Sequence, residues 1–116
     1  MAITQGTTCC LPLRYEKIIP EGARVEVMFN QPGKQLTKST DADGGVWFEP
    51  IMDEQEETQI ATRVYVDLTQ EETLGFDPGN VEVQLRYIDA QGTAKASGIA
   101  LEKWARILKK GVIQYE

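Results

Sequence analysis

The chain has 116 residues, of which 41% are hydrophobic and 26% charged, with 12 Lys and Arg against 18 Asp and Glu, a formal charge of −6. That length and balance fit a single globular domain over residues 1–116 and exclude wholesale disorder. The acidity disfavours nucleic acid and anionic membranes as partners, because both reward clustered basic charge.

The residue types that are missing limit the chemistry. There is no His, so Ser-His-Asp and Cys-His nucleophile systems are impossible and the commonest metal ligand is absent. The only cysteines are Cys9 and Cys10. Adjacent cysteines cannot form a disulfide framework, and on a strand they point to opposite faces. No run approaches the roughly 20 apolar residues of a membrane-spanning helix. The opening Met1–Thr8 lacks the basic region and apolar core of a signal peptide. The expectation is a protein that stays in the cytoplasm of its cell or leaves by a route needing no signal.

In chain order, Thr7–Leu13 reads as a first strand, with Pro12 placing it at a sheet edge. Lys17–Gly22 reads as a loop. Arg24–Asn30 alternates, with Val25, Val27 and Phe29 on one face and Glu26 and Met28 on the other. Gln31-Pro32-Gly33-Lys34 suits a type II turn, and Lys34–Thr40 then completes a hairpin as a polar strand. Asp41–Gly45 is a turn, Val46–Phe48 a short strand or a loop anchor, and the acidic run Asp53–Glu57 a solvated loop.

The strongest pattern lies between Val64 and Tyr87. Val64, Val66 and Leu68 share one face of a strand over Ala61–Leu68, and Val81, Val83, Leu85 and Tyr87 share one face of the next. Between them, Thr69 and Glu72 match a capping box, which predicts a short helical turn near residues 69–75. Asp77–Asn80 and Asp89–Gly92 are turns. From Thr93 to Ile107 the chain begins as a hairpin partner. The spacing of Leu101, Trp104, Ala105 and Leu108 also suits a helix, but Gly98 and the hairpin context favour a bent or bulged strand. Six to eight short strands with at most one short helix predict an all-β fold, an antiparallel β-sandwich ahead of a small barrel.

No constellation declares a catalytic chemistry. Glu71 with Glu72, or Glu54 with Glu56 and Glu57, cluster within single loops, whereas glycoside hydrolysis needs two carboxyls facing across a cleft. A hydrolase is therefore the least favoured reading. Asp41-Ala42-Asp43-Gly44 hints at a calcium loop, but position twelve of that pattern holds Met52. No catalytic residue, metal site or cofactor is assigned. Trp47, Phe48, Tyr65, Tyr87, Trp104 and Tyr115 are the aromatics large enough to anchor a partner. Trp104 lies beside the basic residues Lys103, Arg106, Lys109 and Lys110 and is the best candidate for an exposed contact. Covering one end of the core is the weightier reading of the same residue. Trp47 and Phe48 beside Asp41 and Asp43 would form a platform for a surface glycan. The Lys34–Thr40 strand would add to another subunit's sheet edge.

Val66-Asp-Leu-Thr-Gln-Glu-Glu-Thr-Leu-Gly-Phe, Gly79-Asn-Val-Glu-Val-Gln-Leu-Arg, Ala96-Ser97 and Arg106-Ile-Leu-Lys-Lys-Gly-Val-Ile resemble a group of small proteins encoded among the virion structural genes of phages and prophages of Gram-positive bacteria. The similarity covers roughly Tyr65–Ile113. It implies a non-enzymatic tail or baseplate part with an immunoglobulin-like β-sandwich, assembled in the host cytoplasm through contacts with copies of itself or with other virion proteins. A carbohydrate- or host-surface-binding module is the alternative.

Overall fold

A computed structural model describes residues 2–41, 44–55, 57–109 and 111–113. Its strands are β1 (Ala2–Thr4), β2 (Cys9–Tyr15), β3 (Arg24–Gln31), β4 (Lys34–Ser39), β5 (Val46–Met52), β6 (Gln59–Leu68), β7 (Gly79–Ile88), β8 (Ala94–Ala96) and β9 (Ala100–Ala105), with one helix, α1 (Gln70–Leu74). They form two sheets. The larger has the order β1-β9-β7-β3-β4, with β8 also on β7, and the smaller is β2-β6-β5. Among the described residues no helix is long and apolar enough to cross a membrane.

Alternation places the core. Val25, Val27 and Phe29 from β3 and Val81, Val83, Leu85 and Tyr87 from β7 are buried, as are Leu11 from β2 and Val64, Val66 and Leu68 from β6. These side chains belong to one apolar cluster shared by both sheets. Tyr15 of the smaller sheet meets Tyr87 of the larger edge-on, with ring centroids 6.1 Å apart. At about 25 cal/mol per Å² of apolar surface, this shared layer is the main force holding the sheets together.

The expectation of purely antiparallel sheets needs correction: β1 runs parallel to β9, pairing Ala2 with Lys103 and Thr4 with Ala105. A three-residue strand is too short to show a period, and its partner lies a whole chain away. The expected first strand over Thr7–Leu13 is the second, β2 (Cys9–Tyr15), and the unexpected β1 precedes it. Gly6, at φ +76°, lets the chain leave the larger sheet and enter the smaller one. Pro12 does sit on an edge strand, since among the described residues β2 pairs only with β6.

Elsewhere local chemistry explains the elements. Pro32 and Gly33, the latter at φ +78°, close the β3–β4 hairpin. Thr69 accepts a bond from the Glu72 N–H, and the Glu72 carboxylate accepts one from the Thr69 N–H, so both halves of the capping box form. The segment after Asp89 is a strand broken by a bulge, not a helix. Arg86 faces Ala96 and Val83 faces Ala100, so residues 84 and 85 oppose the three residues 97–99. Ser97 fastens the bulge: its N–H donates to the Leu85 carbonyl (2.9 Å), and its hydroxyl oxygen accepts from the Leu85 N–H (3.1 Å). β5 is longer than the three residues expected and carries its own irregularity between Ile51 and Met52.

Candidate functional site

The two tryptophans occupy opposite environments. Trp104, the candidate for an exposed contact, is only 1% exposed and takes the core-covering role instead. Its ring packs against Phe76 and Phe29, with centroids 5.2 and 6.2 Å away, and its indole N–H donates to the Thr73 carbonyl at 2.9 Å. Residue parity explains the correction. On β9, Trp104 faces inward two residues after Glu102, and α1 supplies the carbonyl that satisfies the indole. Lys103 on β9 and Arg106 and Lys109 beyond its end are exposed while their aromatic neighbour is not; Lys110 lies outside the described residues.

Around Trp104 a polar frame joins three distant segments. Gln5 is buried. Its amide N–H donates to the Phe76 carbonyl (2.8 Å) and its amide oxygen accepts from the Ile107 N–H (3.3 Å). The Thr73 hydroxyl donates to the Thr7 carbonyl at 2.8 Å. Beyond this frame, the Gln70 side chain accepts from the Ile113 N–H (2.8 Å) and donates to the Ile113 carbonyl (3.1 Å), holding the tail against α1. The tail presents Leu108, 93% exposed, and Ile113, 76% exposed, with Val112 between them. Sequence reasoning singled out the charges here and passed over these apolar residues.

Trp47 is 44% exposed and stacks on Tyr65, ring centroids 5.4 Å apart and planes 19° from parallel. It does not share a platform with Phe48, a second correction. Neighbours on a strand point to opposite faces: Phe48 pairs with Val64 and packs against the core, while Trp47 pairs with Tyr65 on the outer face. Asp41 is bound to Arg24, whose guanidinium donates to both of its oxygens at 3.1 and 2.9 Å and holds its carboxyl below the usual range. Asp43 and Tyr115 lie outside the described residues.

Other charged groups form ion pairs across the fold. Lys38, on β4, donates to both oxygens of Glu72 at 2.8 Å with its side chain only 10% exposed, tying the sheet edge to α1. Partial burial pushes the Glu72 carboxyl up. The Lys38 ammonium and the Thr69 N–H outweigh that, leaving it below the usual range. Arg86 first, and then Arg24, hold Glu26 low against its own desolvation. Both thiols are pushed up, Cys9 by burial and then by Glu102 and Asp67, Cys10 by burial and then by Asp67. A raised thiol has little thiolate to react or bind metal. Among the described residues no three His, Cys, Asp or Glu gather as a metal set would require. Among the described residues β4 pairs only with β3, which leaves its far edge open; near its end, Gly44 approaches the Ser39 carbonyl. No protein-family model, curated protein or solved structure matches the chain.

Proposed function

We propose that the chain is a non-enzymatic structural or accessory protein of a phage or prophage virion, of tail or baseplate type, acting through contacts with copies of itself or with other virion proteins. The observation that carries this reading is the tail, where Leu108, Val112 and Ile113 stand in solvent between Arg106 and the end of the described chain. Large apolar side chains crowded outside a core mark an interaction surface. The tail falls within the stretch that resembles virion proteins. Assembly in the bacterial cytoplasm, then residence in the virion, follows from the same reading.

The strand order supports an immunoglobulin-like sandwich. β2, β6 and β5 stand in the order of strands B, E and D, and β9, β7, β3 and β4 in that of G, F, C and C′. The cysteine pair between the sheets that marks antibody domains has no counterpart, since β7 contains no Cys.

Light scattering on the full chain over a concentration series tests the contact reading. A defined oligomer, or a mass that climbs with concentration, is expected, and Leu108→Asp with Ile113→Asp should return a folded monomer. An oligomer indifferent to both substitutions would remove the tail from the interface. A monomer at every concentration would remove self-assembly.

A further inference from the structure

The outer face of the smaller sheet is ordered in rows across its three strands. The strand register places Pro12, Tyr65 and Trp47 in one row, Arg14, Arg63 and Glu49 in the next, and Cys10 beside Asp67 on the other side. Three ring side chains thus form a strip, with guanidinium and carboxylate groups along one flank and a carboxylate along the other. Trp47 lies on β5, and among the described residues no strand lies beyond β5 in its sheet. One face of its ring is therefore covered by Tyr65, and the sheet covers nothing on the other. The Tyr65 hydroxyl donates to one carboxylate oxygen of Glu49 at 2.7 Å, which fixes an acceptor beside the rings.

We infer that this strip is a saccharide-binding platform. A pyranose ring has an apolar C–H face and a rim of hydroxyls. The apolar face suits a flat aromatic surface, and the rim suits donors and acceptors placed to either side. The uncovered face of Trp47 supplies the surface, with Tyr65 holding the ring from behind; Arg63 supplies donors, and Glu49 and Asp67 supply acceptors. A protein partner fits less well. Protein hot spots lie in fully desolvated pockets ringed by contacts that exclude water, and here charged side chains flank a strip three residues wide. The inference is separate from the subunit-contact reading, whose residues lie in the tail.

The test is calorimetry and tryptophan fluorescence on the full chain, titrated with soluble hexasaccharides of glucose, of galactose and of N-acetylglucosamine. At least one should bind at millimolar concentration or below. Trp47→Ala should weaken it about tenfold, which is what losing one aromatic stacking contact implies. Arg63→Ala and Glu49→Gln, which leave the aromatic pair in place, should each weaken it several-fold and guard against misreading an unfolded Trp47 variant. Leu108→Asp should leave binding unchanged while altering assembly. Failure of all three sugars to bind, or binding indifferent to Trp47, Arg63 and Glu49, would overturn the inference.

Discussion

Trp104 and Trp47 are the same residue put to opposite uses. Trp104 closes the end of the core where β9, α1 and the segment after β1 meet, and its polar atom is satisfied inside. Trp47 leans on one neighbour across the outer face of a three-stranded sheet and leaves much of its surface in water. Removing the first would open a cavity in packed surroundings. Removing the second would uncover one face of Tyr65 and open no cavity. The lesson is that an aromatic residue's role follows from which face of its strand it occupies, and the charges beside it in sequence do not decide this.

The contrast can be broken most severely at its buried end. Trp104→Ala should cost about 3–5 kcal/mol of stability, the range for deleting a large buried aromatic, read as a lower urea midpoint. Gln5→Leu comes next. It leaves the Phe76 carbonyl and the Ile107 N–H without partners, so a loss of about 1–3 kcal/mol is expected in the same measurement. A loss much smaller than either range would mean that this end of the core tolerates rearrangement.

Thr69→Ala sharpens the comparison, because α1 carries the carbonyl that receives the Trp104 indole. Loss of the cap should cost about 1 kcal/mol and slightly raise the exposure reported by Trp104 fluorescence. The Glu72 carboxyl adds a pH dependence to the same element. Its folded value lies below its unfolded one, so its stabilisation is fully present above the usual carboxylate range and is lost as pH falls through the depressed value. Urea midpoints measured downward from neutral pH should show that loss, and Glu72→Gln should flatten it. At the small end, Trp47→Ala should change stability by only about 0.2–1 kcal/mol, the worth of a cross-strand pair. A cost equal to that of Trp104→Ala would erase the distinction between the two sites.

Strands whose side chains alternate over enough residues to declare a face can be read directly from the chain. β3, β6 and β7 were legible because one face of each is apolar, and burial selects that face. The capping box and the Pro-Gly hairpin were legible because their chemistry lies within four residues. Trp47 and Phe48 could have been separated on the same grounds, since strand parity alone puts them on opposite faces. Other features were decided only in three dimensions. The parallel pairing of β1 with β9, the satisfaction of Gln5 by Phe76 and Ile107, the burial of Trp104 under α1 and the stacking of Trp47 on Tyr65 all join residues far apart in the chain. Their free energy comes from packing and hydrogen bonds that exist only once the two sheets have closed, and no local pattern records it.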